Sequence, residues 1–184
     1  MKRAIIVPPA PAPEALAELK QWLGLTGPRE DTALARLIGA ALDLCEGFTG
    51  QLPLAVTAEE VLAADGQWQR LASRPVQAVL AVEAIAATGT RTALATDAYA
   101  LELDPDGGAR VRVRAVNSLQ PGRIVVRFVA GLSPSWSALP ESLRHGVIRF
   151  AAHQHRAREN SAPEPVPPAA VTALWRPWRQ MRLT

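Results

Sequence analysis

Residues 139–159 read LPESLRHGVIRFAAHQHRARE. Proline is tolerated at the first position of a helix, so Pro140 predicts a helix that continues to about Arg158. Successive side chains on a helix turn by about 100°. One side of the predicted helix faces a core and is formed by Leu143, Val147, Phe150, Ala151 and Gln154. The opposite side carries three basic residues, His145, Arg149 and Arg156.

The same helix contains a His-x-His pattern, His153 and His155. Side chains two apart on a helix point to nearly opposite sides, so these two cannot bind one ion together. No metal site and no cofactor are predicted. The chain has no nucleophile elbow, no phosphate-binding glycine loop and no dinucleotide fingerprint. An unrecognised hydrolase would need a nucleophile beside a base, which no segment suggests. The chain is therefore predicted not to be an enzyme.

The N-terminal third is predicted to be helical. Residues 1–13 are rich in proline and should form an extended arm. Two helices are expected within residues 14–50, the second from about Glu30 to Thr49 with an apolar stripe, and Gly50 supplies its stop. Cys45 lies in that stripe. Its functional interpretation is a nucleophile, and the favoured interpretation is a small core residue, because cysteine is often buried and no basic activator lies nearby.

Residues 51–132 are predicted to be rich in β-strands. The segments with alternating or β-branched residues are 79–87, 99–104, 110–115 and 123–131, with an earlier candidate at 68–76 that bends at Pro75. Of the neighbouring carboxylates, Glu59 and Glu60 are expected to face solvent, and Asp104 and Asp106 to form a turn. Arg110, Arg112 and Arg114 share one strand face, which is either a basic interaction surface or a solvated outer face.

The C-terminal end combines a linker and a possible docking segment. Residues 160–168 read NSAPEPVPP, and a short helix from Ala169 leads into LWRPWRQMRLT. Trp and Arg are enriched in binding hot spots. The docking hypothesis rests on Leu174, Trp175, Arg176, Trp178, Arg179 and Met181. The alternative is that this end folds back onto its own subunit as a last core element.

Composition limits the class of protein. The chain has 184 residues, 48% hydrophobic and 20% charged, one cysteine and a formal net charge of +3. This describes one ordinary domain over 1–184, with no run of the ~18 apolar residues that a membrane span needs. We predict an α+β fold: a small helical bundle (14–50 and 140–159), an inserted antiparallel β-rich region (51–132), and an extended arm (1–13) and tail (160–184).

The order of these segments resembles the head–tail connector (adaptor) proteins of long-tailed phages and phage-derived gene transfer agents. EDTALARLIGAALDLCEGFTGQ (30–51) is similar to the family's early helix. LASRPVQAVLAVEAI (71–85) is similar to its proline-valine strand. The most specific pattern is F-x-A-G in VRFVAGL (126–132), followed by P-x-x-L-R and A-A-H-x-x-x-x-R-E in residues 139–159.

The resemblance implies a structural function. Members form a ring, typically of about twelve subunits, beneath the portal protein. The ring joins the portal to the next connector (stopper) or tail protein, and DNA passes through it without sequence-specific binding. The expected location is the virion or particle neck, and the host bacterial cytoplasm during assembly. On this basis the tail is expected to dock on the portal, and His145, Arg149 and Arg156 to face the channel or a neighbouring subunit.

One competing interpretation remains open. The chain could be a sequence-nonspecific DNA-binding or regulatory module that uses Arg110, Arg112, Arg114 and the C-terminal arginines. Such a module predicts retention on duplex DNA at low salt with a steep salt dependence. A connector predicts association with a portal instead.

Overall fold

A computed structural model describes residues 3–7, 13–114, 122–157 and 167–179 of the chain. It has the predicted α+β fold, with four helices and antiparallel sheets in these ranges. The chain divides into two compact units. The sheet unit comprises Met1–Pro8 and Ala55–Gly131, and the helical unit comprises Pro9–Leu54 and Leu132–Thr184.

The helical unit contains α1 (Pro13–Leu23), α2 (Asp31–Thr49), α3 (Glu141–Ala157) and α4 (Ala169–Trp175). Helix α2 is buried along the predicted stripe and ends as predicted: Gly50 has φ 73°, and its N–H donates to the carbonyl of Glu46 at 2.8 Å. Such a left-handed residue satisfies a carbonyl at the helix end, and glycine adopts it without strain.

Helix α3 is the centre of this unit, because α1, α2 and α4 all pack against it. Its buried residues are Leu143, Gly146, Val147, Ile148, Phe150, Ala151 and Ala152. Four of the five predicted core positions are therefore buried, whereas Gln154 is only half-buried. Burial of Ile148 and Ala152 widens the apolar face beyond one stripe, as a helix with three helical neighbours requires.

The sheet unit contains two antiparallel sheets. The larger has the order β1-β2-β8-β4-β5 and the smaller has the order β3-β7-β6. The strands are β1 (Arg3–Val7), β2 (Val56–Ala63), β3 (Gln69–Arg70), β4 (Val76–Ile85), β5 (Arg91–Ala93), β6 (Tyr99–Leu103), β7 (Ala109–Val113) and β8 (Arg123–Ala130). The four predicted segments correspond to β4, β6, β7 and β8. The N-terminal arm is extended where it is described, and pairs with β2 as β1.

The prediction that Glu59 and Glu60 face solvent is wrong. Both lie on β2 and are buried, with 6% and 0% of their surface exposed. Consecutive residues of a strand point to opposite faces. The Glu60 carboxylate accepts hydrogen bonds from the N–H groups of Ala72 and Ser73 at 2.8 and 3.0 Å and from the Ser73 hydroxyl at 2.7 Å. Glu60 therefore anchors the segment that precedes the bend at Pro75, where the Arg74–Pro75 peptide bond is cis.

The second acidic pair forms a turn, as predicted. The Asp104 N–H donates to the Gly108 carbonyl at 2.8 Å, and the Asp106 carboxylate accepts from the Gly108 N–H at 3.0 Å. This turn joins β6 to β7. In the ranges that the structure describes, no helix combines the length and apolar character needed to cross a bilayer.

Candidate interaction site

The C-terminal helix α4 packs into the core of its own helical unit. Trp175 is 0% exposed, and its ring centroid lies 6.1 Å from that of Phe48 and 6.5 Å from that of Phe150. The indole also lies directly over Gly146 of α3, where a Cβ atom would come within 2.8 Å of the Trp175 Cδ1 atom. Trp175 therefore belongs to the core of its own subunit, as in the second of the two interpretations of this segment.

The residues after Trp175 present a different surface. A single 3-10 turn spans Arg176–Trp178. Trp178 is half-buried, and its indole N–H donates to the Ser142 hydroxyl at 2.9 Å. Arg176 and Arg179 are exposed, with the Arg179 guanidinium 5.6 Å above the Phe48 ring. Leu174 is half-buried, and Met181 lies outside the described residues. The groups of the docking hypothesis that solvent reaches most freely are therefore the two arginines.

The basic side of α3 forms part of a pocket rather than a flat face. Trp22 of α1 is 43% exposed, and the His145 ring meets it edge-on at 5.2 Å. A cavity of about 210 Å³ beside this tryptophan is lined by Trp22, Arg149, His153, Arg156, Pro168, Ala170 and Val171. We call it the Trp22 pocket. It brings Arg149 and Arg156 together as the sequence predicts, and adds Trp22 and His153.

A second, more open cavity of about 610 Å³ adjoins the same residues. It is lined by Glu18, Gln21, Trp22 and Arg156. The Glu18 carboxylate is already engaged by the indole N–H of Trp136 at 3.0 Å and by Arg144 at 3.5 Å. The sequence did not indicate Trp22 as a site residue. It lies three residues after Leu19, so its spacing on α1 resembles that of a core position.

The two neighbouring histidines have separate environments. The His155 Nε2 atom lies 2.8 Å from the Glu30 carboxylate at the start of α2, whereas His153 lines the Trp22 pocket. This separation agrees with the prediction that they point to different sides of the helix. Among the described residues, no three His, Cys, Asp or Glu side chains are grouped as metal ligands would be.

Cys45 lies in the core of the helical unit with 0% of its surface exposed. Burial, with a smaller contribution from the Glu46 charge, raises the pKa of its thiol to about 12. The thiolate is the nucleophilic form of cysteine, so burial keeps Cys45 in its unreactive protonated form at neutral pH.

The arginines of β7 share the outer face of the smaller sheet, as predicted. The Arg110 guanidinium contacts the carboxylates of Glu102 at 2.8 Å and Asp104 at 3.7 Å. Arg110 and Arg112 both stack on the Trp68 ring, with guanidinium carbons 5.5 and 4.9 Å from its centroid. Carboxylates thus neutralise part of this face, which weakens the interpretation as a DNA-binding surface.

The larger sheet holds an ion cluster on β2, β5 and β8, centred on the buried Glu59. The Glu59 carboxylate accepts hydrogen bonds from Arg127 at 2.7 and 2.9 Å and from Arg91 at 2.9 Å. Burial alone would raise the pKa of this carboxyl. The hydrogen bonds and charges of Arg127 and Arg91 outweigh burial and hold the pKa below its ordinary value. The cluster ties three strands together.

Comparison with known proteins gives a consistent answer. No protein-family model and no curated protein matches the chain. Solved structures do match. The chain superposes on a chain from the neck of an empty gene transfer agent (GTA) particle, computed with C6 symmetry, with a TM-score of 0.81 and 28% identity, covering 100% of this chain and 98% of that one. The chain belongs with the proteins of gene transfer agent necks.

Two further structures agree. A chain from the neck of the native GTA particle, computed with C12 symmetry, has a TM-score of 0.78 and 28% identity. A chain from the virion of a native GTA particle has a TM-score of 0.76 and 30% identity. Each match covers 100% of this chain and 98% of the other. The likeness includes both the helical unit and the sheet unit, and indicates a structural component of such a particle.

Proposed function

We propose that the chain is a structural head–tail connector subunit in the neck of a gene transfer agent or phage particle. The observation that carries this proposal is the full-length likeness to a GTA neck chain, at a TM-score of 0.81 and 28% identity. The arrangement of polar groups also fits. Among the described residues, the groups with shifted pKa values include a buried thiol and carboxylates held in structural contacts, such as Glu59.

In this proposal the subunits form a closed ring, of about twelve copies, that surrounds the DNA. Necks computed with C6 and C12 symmetry support a cyclic assembly. A ring uses head-to-tail contacts, so each subunit must present two different and complementary surfaces. DNA would pass through the ring without sequence-specific binding. Each phosphate contact adds salt-dependent affinity, and a conduit functions better with few of them.

The ring would contact the portal on one side and the next connector or a tail protein on the other. We assign portal docking to the surface after α4, where Arg176 and Arg179 are exposed and Leu174 and Trp178 are half-buried. Trp175 supports this surface from beneath, because it fixes α4 to α3. Arginine at such a surface can bind a portal carboxylate through two parallel hydrogen bonds.

Localisation in assembled particles tests the overall proposal. Particles should be purified from a strain that carries a tagged copy of the chain and imaged by cryo-electron microscopy. The expected result is a ring of density for this chain at the neck between head and tail. Removal of the gene should yield heads and tails that are not joined. Particles that lack density for the chain at the neck would contradict the proposal.

Surface substitution tests the portal contact separately. In the variant Arg176→Glu/Arg179→Glu, the chain should keep the melting temperature of the parent and lose co-purification with the portal. Arg29→Glu/Arg36→Glu, at two exposed arginines of the same unit, is the matched control and should retain the portal. If both variants bind the portal equally, the portal contact does not involve the C-terminal surface.

A further inference from the structure

The Trp22 pocket is built by three helices of the helical unit. Helix α1 contributes Trp22, α3 contributes Arg149, His153 and Arg156, and Pro168 to Val171 at the start of α4 close the remaining side. Because these helices pack on a common core that includes Val171 and Trp175, the lining is held in place before any partner binds. A pocket formed in advance loses little side-chain entropy on binding.

Within the described part of the chain, several charged side chains of the helical unit are paired, but the two pocket arginines are not. Lys20 contacts Asp31 at 2.7 Å, Arg144 contacts Glu141, and His155 contacts Glu30 at 2.8 Å. In contrast, neither Arg149 nor Arg156 has a hydrogen-bond or ion-pair partner among the residues that the structure describes. The nearest carboxylate that lines the adjoining cavity belongs to Glu18, which already binds Trp136 and Arg144.

Trp22 gives the pocket an apolar surface. A tryptophan with 43% of its surface exposed leaves a large aromatic face in water, and the edge-on contact with His145 fixes its ring. Tryptophan and arginine are the residues most enriched in protein–protein hot spots. The combination suits a segment that carries carboxylates beside a small apolar side chain.

The size of the pocket favours a polypeptide over DNA. A cavity of about 210 Å³ admits one or two side chains, whereas a DNA duplex is far too wide to enter it. The adjoining open cavity carries the carboxylate of Glu18 as well as Arg156, which disfavours a phosphate there.

The chain itself carries a matching acidic surface. Residues 13–54 contain six carboxylates and three cations, whereas α3 carries three arginines and one carboxylate. Two of these carboxylates, Glu14 on α1 and Asp43 on α2, are exposed and have no partner among the described residues. In a closed ring, the surface that meets a given pocket lies on another copy of the same chain.

We propose that the Trp22 pocket receives a carboxylate-bearing segment from residues 13–54 of the neighbouring copy. This inference rests on the proposed ring. It assigns Arg149 and Arg156 to the contact between subunits and not to the DNA channel. Each arginine binds a carboxylate of the neighbour, and Trp22 covers the apolar part of the same segment.

Photo-crosslinking in assembled particles identifies the occupant. Trp22 is replaced by p-benzoyl-phenylalanine, the particles are irradiated, and the products are separated by mass. The expected product has twice the 19.7 kDa mass of the chain, and its cross-linked peptide maps to residues 13–54. A cross-link to a different neck protein, to DNA, to another part of this chain, or to nothing would overturn the proposal.

Charge reversal provides a second measurement that does not alter Trp22. Arg149→Glu/Arg156→Glu should reduce the number of copies at the neck at least tenfold while the isolated chain keeps the parent melting temperature. The control Arg114→Glu/Arg123→Glu makes the same charge change at two exposed arginines of the sheet unit, outside residues 13–54, and should assemble normally. If the parent chain forms a neck ring and both variants assemble equally, the pocket inference is wrong. If the parent chain is absent from the neck, the proposed function itself fails.

Discussion

Glu59 shows how one buried carboxylate stabilises the sheet unit. Its side chain is 7% exposed, but its partners Arg91 and Arg127 are 45% and 41% exposed, so water screens the pairs from one side. Glu59→Gln is expected to lower the free energy of unfolding at pH 7 by about 1–2 kcal/mol, because screening reduces the contribution to or below the lower end of the range for hydrogen bonds to charged groups. Denaturant unfolding measures this loss. Glu102→Gln, at an exposed ion pair, is the control and should cost under about 0.5 kcal/mol.

The same substitution has a defined pH dependence. Folding lowers the pKa of Glu59, so its stabilising contribution is complete above the pKa of a glutamate in the unfolded chain, about 4.3, and is lost as pH falls through the lower folded value. The difference in unfolding free energy between the parent and Glu59→Gln should stay constant from pH 7 to about 5 and close below about 4. A difference that grows on acidification would contradict the assignment.

Gly146 is required because Trp175 lies against it. A Cβ atom there would be 2.8 Å from the Trp175 Cδ1 atom and 2.9 Å from Cε2. Alanine favours a helix over glycine by about 1 kcal/mol, but overpacking costs about 1–3 kcal/mol. Gly146→Ala should therefore destabilise the chain and change tryptophan fluorescence. Gly39→Ala on α2, where nothing lies within 4 Å, should instead stabilise it by up to about 1 kcal/mol. Equal effects at both sites would contradict this account.

At the scale of elements, α4 is a core helix, and the exposed residues that follow it form the proposed interaction surface. Val171 and Trp175 are 2% and 0% exposed, although the helix has only seven residues. So short a helix is not stable alone and depends on packing. The composition of the segment favoured a docking peptide, with a core element as the alternative, because both use large apolar residues. Gly146 on α3 leaves room for the Trp175 indole, so Trp175 is a core residue.

Truncation of Trp175 tests that assignment. Trp175→Ala is expected to lower the free energy of unfolding by about 3–5 kcal/mol, the range for removing a buried aromatic side chain. Arg176→Ala, at the adjacent exposed residue, should change it by less than about 0.5 kcal/mol. Urea unfolding of the full chain measures both. A small effect of Trp175→Ala would show that α4 does not complete the core.

Strand β2 shows why an element was missed. Its sequence, VTAEEVLA, has two adjacent glutamates that interrupt the alternation of apolar and polar residues. Both are buried because partners far away in sequence satisfy them: Ser73 for Glu60, and Arg91 and Arg127 for Glu59. A periodicity argument treats every polar residue as exposed, because the pattern along the chain does not show which distant residues will pair with it.

At the scale of the whole molecule, much of the positive charge is paired within the protein, which disfavours tight binding to DNA. Carboxylates pair with Arg70, Arg74, Arg91, Arg110 and Arg127. We therefore expect the isolated chain to bind duplex DNA no more tightly than about 10⁻⁴–10⁻⁶ M at physiological salt, the range of nonspecific binding. Fluorescence anisotropy over a salt series measures this. Binding in the nanomolar range at 150 mM salt would support the DNA-binding module instead.

The sequence alone determined the class of fold, two helices within residues 14–50, the helix that begins near residue 140, four of the strands and the similarity to neck proteins. These features depend on local periodicity and on the order of motifs, and both can be read directly along the sequence. The buried state of Glu59, Glu60 and Trp175 and the presence of Trp22 beside Arg149 and Arg156 were decided only by the tertiary structure. Each depends on a partner from a distant segment, and the free energy of a polar or aromatic side chain is set by the partner that it meets.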